Sequence, residues 1–211
     1  NAVDAFVAAS FMLSVVTPQS TGIGGGGFLL YYDASMKKVS SYDFRERAPF
    51  AATERMFVSK KNKPLPFFHN GVFVPKSSLN GPLSVATPGL VAGLWEIHKK
   101  FGKLPWKGLV EPAAKVAEKG FKIDLILSKA LKKREEILVL FEGSREIFFK
   151  NNRLLKKGDY LIQKDLAKTL RIIGKEGKDG FYKGEVAHKL LETLSEGGIV
   201  SQKDFDGYKV R

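Results

Sequence analysis

An α+β fold is predicted for this chain of 211 residues, and three observations predict it. A nearly all-apolar helix leads into a glycine-punctuated β-hairpin within residues 1–50. Residues 50–83 are then broken by Pro64, Pro66, Pro75 and Pro82, which leaves a loop-rich stretch. From Thr87 onward the apolar residues return with helical spacing, so that residues 84–211 read as mostly helical. Strands grouped early and helices grouped late indicate α+β, rather than the alternation of a parallel α/β sheet.

Residues 1–16 form the first expected helix, with Asn1 as N-cap, Asp4 in the first turn and Thr17-Pro18 as the stop. With so little polar surface, this helix has to be covered on more than one side. A glycine loop follows at residues 21–27. Phe28–Tyr32 and Val39–Phe44 then read as two strands around a polar turn at 33–38. Thr87-Pro88 suggests an N-cap followed by proline at the first helical position, opening a helix through Leu90, Leu94, Ile97 and Phe101 to Gly102. Another helix is expected after Pro105 up to Gly120, a third from about Ser128 into Leu140, and two more over 165–174 and 184–195.

Composition narrows the function classes. A hydrophobic content of 44% suits a globular chain. With no cysteine, thiol nucleophiles, disulfide scaffolds and Cys-based zinc sites drop out. The net charge of +13 raises a nucleic-acid reading. The lysines, however, lie in scattered pairs such as Lys37-Lys38, Lys60-Lys61 and Lys132-Lys133, several of them at helix ends, and no aromatic-interleaved basic stripe accompanies them. A solvated basic surface is the simpler reading, and no specific nucleic-acid partner is expected.

Gly22-x-Gly24-x-x-Gly27 matches the dinucleotide fingerprint in letters only. That motif follows a strand and opens a helix, whereas here a helix precedes the loop and strands follow it. Asp43-Phe44-Arg45-Glu46-Arg47-Ala48-Pro49 closes the second strand and leaves two readings open. One is a surface ion-pair network of little energetic weight; the other is an arginine fork presented to a carboxylate ligand. The three histidines, His69, His98 and His188, belong to no catalytic motif, and His98 lies beside core-facing residues of its helix. None of the six threonines is N-terminal, so none can use its own α-amine as a base. No complete active site is visible in this chain.

Taken together, a series of segments resembles the large subunit of gamma-glutamyltransferase (gamma-glutamyl transpeptidase). They are Asn1-Ala-Val-Asp-Ala5, Pro18–Phe28, Asp43–Pro49, Val85–Gly93, Phe101–Trp106, Glu111–Gly120, Gln163–Leu170, Gly180–Gly184 and Gly197–Ser201. The resemblance covers essentially the whole chain. It implies part of the αββα sandwich of N-terminal-nucleophile hydrolases, helix-rich in its second half, with residues 1–211 forming one partial domain. It further implies a self-cleaving proenzyme whose small subunit, the expected partner, supplies the threonine nucleophile. That enzyme would pass the gamma-glutamyl group of glutathione or a similar amide to water, an amino acid or a peptide. No cofactor or metal is implied, and no catalytic residue is expected in this chain.

Of the family's site residues, the substrate arginine falls on Arg45, which is expected to grip the α-carboxylate of the gamma-glutamyl group, with Glu46 and Arg47 as supports. The opening at Asn1 and the missing remainder lead to the expectation of a fragment that exposes apolar surface to its absent half. A periplasmic or secreted location follows from the resemblance alone. Related amidohydrolases acting on poly-gamma-glutamate or beta-lactam amides, and a non-catalytic binding module, are the alternatives.

Overall fold

The computed structural model describes residues 1–74 and 77–211; Pro75, one of the breakers named above, lies outside the described residues. Helix α1 (Ala2–Val16) starts where its sequence indicates. The Asp4 N–H donates to the Asn1 side chain at 2.9 Å, and the Asn1 amino group donates back to the Asp4 carboxylate at 3.1 Å, a reciprocal capping box. Asp4 is only 2% exposed and also accepts the N–H groups of Lys103 and Leu104 at 3.0 and 3.3 Å. One carboxylate therefore ties the start of α1 to a loop a hundred residues away. Val3, Val7, Phe11 and Val15 are buried at helical spacing, while Ala5, Ala9 and Leu13 form an exposed stripe.

Strands β1 (Phe28–Asp33) and β2 (Lys38–Asp43) form the expected antiparallel hairpin, with Phe28 opposite Asp43 and Tyr32 opposite Val39. The period-2 alternation sorts its side chains onto two faces. Tyr31 and Tyr42 turn inward, their rings 4.4 and 6.3 Å from that of Phe101. Phe28, Leu30, Tyr32 and Val39 turn outward and are exposed.

Residues 50–83 are less irregular than their prolines suggest. Strands β3 (Phe67–His69) and β4 (Val72–Val74) pair around Asn70-Gly71. Both turn residues have positive φ, 49° and 78°, the backbone that a two-residue hairpin turn requires. A 3₁₀ turn at Pro82–Ser84 then leads to α2 (Leu90–Phe101) and α3 (Trp106–Lys119), which end at Gly102 and Gly120 as the sequence indicates.

The start of α2 corrects the sequence reading. Thr87 is not the N-cap, and Pro88 is not the first helical residue. Thr87 instead pairs in extended conformation with Arg47, through N–H···O bonds of 3.1 and 2.8 Å. The helix begins at Leu90, and the N–H groups of Gly89 and Leu90 both donate to the Gly25 carbonyl at 2.9 Å. A carbonyl of the glycine loop therefore does the work expected of a capping side chain.

The remaining elements are β5 (Phe121–Lys122), α4 (Leu125–Leu138), α5 (Glu142–Phe148), β6 (Phe149–Lys150), β7 (Arg153–Leu154), β8 (Tyr160–Leu161), α6 (Lys164–Glu176), α7 (Asp179–Tyr182), α8 (Gly184–Leu194) and α9 (Gln202–Gly207). Helix α4 starts three residues before the expected Ser128, because the Asp124 side chain caps it by accepting the Leu127 N–H at 2.7 Å. The main core joins α1, α2, α3, α6, α7, α8 and α9, with Tyr208, to the inner face of the hairpin, and a small separate cluster joins Leu127 and Leu131 of α4 to Ile123, Leu155 and Leu161.

Candidate functional site

The segment after β2 carries Arg45, and nearly every contact that fixes it is made by the backbone. Phe44, 1% exposed, anchors the chain in the core. The Arg45 N–H donates to Asp43 Oδ1 at 3.0 Å, and the Arg45 carbonyl accepts the Tyr208 hydroxyl at 2.8 Å. The glycine loop lies directly against this segment. A Cβ on Gly26 would fall 2.5 Å from the Phe44 carbonyl oxygen and 2.8 Å from Arg45 Cα, so only glycine permits that approach. The Arg45 side chain itself is exposed and lines a concavity of about 520 Å³ together with Gly24, Glu46, Ser84, Val85 and Ala86.

Arg45 and Arg47 both lack an acidic partner among the described residues, and exposure separates them: the Arg45 side chain is exposed, whereas Arg47 is half-buried with its Nε buried and unbonded. Arg211 Nη2 is paired with Asp43 Oδ2 at 2.6 Å. Arg47 lays its guanidinium over the Tyr208 ring, 5.4 Å from the centroid. Among the described residues the Arg45 guanidinium has no acidic partner, so its five N–H donors are available to a ligand. A larger cavity of about 590 Å³ lies alongside, sharing Gly24 and Val85, with an apolar lining that includes Ile172, Phe181, Leu190 and Phe205. Its rim lysines are already engaged: Lys168 with Asp165 at 3.0 Å and Lys189 with Glu185 at 2.6 Å. A small anion is therefore better served at Arg45 than in the larger cavity.

The other residues named from sequence are distributed differently. Glu46 lines the same concavity as Arg45, whereas Arg47 turns toward Tyr208. The glycines at 22–27 serve the backbone, as the Gly25 and Gly26 contacts illustrate. None of the histidines lines the Arg45 concavity. His98 sits 3.8 Å from Asp4 Oδ1 and 2.9 Å from the Leu104 carbonyl oxygen, His69 packs against Phe141, and His188 is exposed on α8 beside Glu192. Sequence reasoning did not identify Ser84, Val85, Ala86 or Tyr208 as neighbours of Arg45. The Tyr208 contact spans 163 residues, and no local pattern announces such a contact.

The chain matches the gamma-glutamyltranspeptidase family model over residues 1–211. It is 42% identical to the glutathione hydrolase proenzyme of Bacillus subtilis (strain 168), an alignment covering 100% of this chain and 34% of that protein. In structure it resembles the gamma-glutamyltranspeptidase of Helicobacter pylori, with a TM-score of 0.90 at 39% identity over 100% of this chain and 58% of that one. It also resembles the transpeptidase CapD of Bacillus anthracis, with a TM-score of 0.76 at 34% identity, covering 100% of this chain and 61% of that one. The fold is thus the α+β fold of the N-terminal-nucleophile class to which these structures belong. The chain belongs to the gamma-glutamyltranspeptidase family, and it spans about a third of the length of the curated relatives it matches. Among the described residues, no helix is long and apolar enough to cross a membrane.

Proposed function

We propose that this chain is the substrate-gripping part of the large subunit of a gamma-glutamyltransferase, and that Arg45 holds the α-carboxylate of the gamma-glutamyl group. The observation that carries this reading is a guanidinium held by its backbone, facing a concavity and lacking an acidic partner. A planar fork of donors matches a carboxylate in two parallel hydrogen bonds, which fixes orientation as well as position. With the carboxylate held, three carbons separate it from the gamma-carbonyl, which confines that carbonyl to a short radius where a nucleophile from outside this chain can reach it.

In the reaction this implies, a threonine hydroxyl adds to the gamma-carbonyl while its own α-amine takes the proton. The amide C–N bond then breaks, and the departing amine recovers that proton. A gamma-glutamyl ester remains, and water, an amino acid or a peptide releases it. The threonine belongs to a small subunit of the same precursor. The outward apolar face of the β1–β2 hairpin supports the presence of such a covering partner, since exposed contiguous apolar surface commonly marks an interface. A periplasmic or secreted location accompanies this reading.

Arg45→Lys in the full-length gene product tests the assignment. Lysine keeps the charge and loses the fork. KM for a chromogenic gamma-glutamyl anilide is expected to rise by about tenfold or more, with kcat less affected, as for the loss of a charge-assisted hydrogen bond worth roughly 1.5–3 kcal/mol. An unchanged KM would remove Arg45 from the binding site.

A further inference from the structure

Arg45 has no side-chain partner among the described residues, so what the fold fixes is the base of its side chain, through its backbone, and with it the volume the guanidinium can reach. Two polar contacts hold that backbone. The Asp43 carboxylate takes its N–H, and the Tyr208 hydroxyl donates to its carbonyl at 2.8 Å. The first contact is local. The second comes from the far end of the chain, and the surrounding structure is built around it. Tyr208 is 7% exposed, with the Arg47 guanidinium over its ring at 5.4 Å and the ring of Tyr182 stacked near it at 5.9 Å. Its hydroxyl fits where only a glycine leaves room, because a Cβ on Gly89 would fall 2.0 Å from Tyr208 Oη. Burial pushes the Tyr208 phenol up to about 12, so it stays a donor at any working pH.

We propose that Tyr208 is a positioning residue for Arg45: its hydroxyl fixes the Arg45 backbone and thereby the reach of the carboxylate-gripping fork. This rests on the function proposed above. The contact does not touch substrate, so its loss shows up as looser binding of the gamma-glutamyl group, with the chemical step little changed. Displacements of about 1 Å at a positioning group are enough to matter for catalysis. Arg47 gains a role through the same contact, since its guanidinium covers the ring that carries the hydroxyl.

A double-mutant cycle in the full-length gene product, read as KM for a chromogenic gamma-glutamyl anilide, tests this. Tyr208→Phe keeps the ring and removes only the donor, and KM is expected to rise by about two- to tenfold with kcat nearly constant. In the Arg45→Lys background the same substitution is expected to add nothing further, because the fork it places is gone. An equal rise in both backgrounds, or no rise beside an Arg45→Lys variant that does lose affinity, overturns the role of Tyr208 and leaves the Arg45 assignment standing. No rise in Arg45→Lys itself overturns both. Should Tyr208→Phe fail to fold, p-aminophenylalanine at position 208 retains a ring-borne N–H donor. That variant is expected to keep KM near wild type, and a KM raised to the level of Arg45→Lys contradicts the proposal.

Discussion

Among single side chains, a few polar contacts decide where the Arg45 segment lies. Asp43 and Tyr208 hold its near end and middle, and Asp204 holds its far end, accepting the Phe50 N–H at 2.6 Å and the Ser201 hydroxyl and N–H at 2.6 and 2.8 Å. Burial alone would raise the Asp204 pKa. The Ser201 hydroxyl and the N–H groups of Phe50 and Ser201 outweigh that and leave it below the usual carboxylate value of 3.8. A carboxylate with a depressed pKa in the folded state stabilises the fold above its unfolded-state value. It loses that contribution as pH falls through the folded-state value. Urea unfolding midpoints of wild type and Asp204→Asn should therefore differ at pH 6–7 and converge as pH drops below about 4. A gap that stays constant across this range would mean that the charge on Asp204 does not stabilise the fold.

Among the elements, the hairpin and the helices differ in how openly the sequence declares them. Helix α1, the stops of α2 and α3, and the β1–β2 pair all follow from local signals: an Asn1 cap, glycines after periodic runs, alternation about a polar turn. The start of α2 was hidden because its cap is the Gly25 carbonyl, brought from 64 residues away in the chain. The β3–β4 pair had its own local signal in Asn70-Gly71, which the surrounding prolines obscured. At the candidate site, Arg45 stands out through its family segment; Val85 and Ala86 lie in another such segment, but their placement beside Arg45, like the Tyr208 contact, depends on tertiary folding and has no local signal. The β1–β2 hairpin also carries a prediction of its own. Leu30 is 76% exposed in this chain, yet it lies among Phe28, Tyr32 and Val39 on the face that a partner is expected to cover. In the full-length gene product, Leu30→Lys should lower unfolding stability by about 2 kcal/mol or more, as burial of an unpaired charge does. A change within about 0.5 kcal/mol, typical of a true surface position, would show that this face stays in water.

For the molecule as a whole, the chain is a self-consistent core with an unfinished surface. The inner face of the hairpin and helices α1–α3 close around Phe11, Phe44, Leu94 and Ile97, while the outer face of the hairpin and the stripe Ala5–Ala9–Leu13 remain open. The positive charge is dispersed over exposed lysines, four of which stand in i,i+3 or i,i+4 pairs with carboxylates; Arg45 faces its concavity without such a partner. This arrangement is compatible with the proposed reading, in which the chain binds and the reacting group arrives from elsewhere. A crystal structure of the full-length gene product with glutamate bound would show whether that is how it works. The α-carboxylate is expected in two parallel hydrogen bonds of about 2.7–3.2 Å to the Arg45 guanidinium, with the gamma-carboxyl turned toward the threonine of the partner subunit. Glutamate held elsewhere, with the Arg45 fork left in solvent, would contradict the assignment.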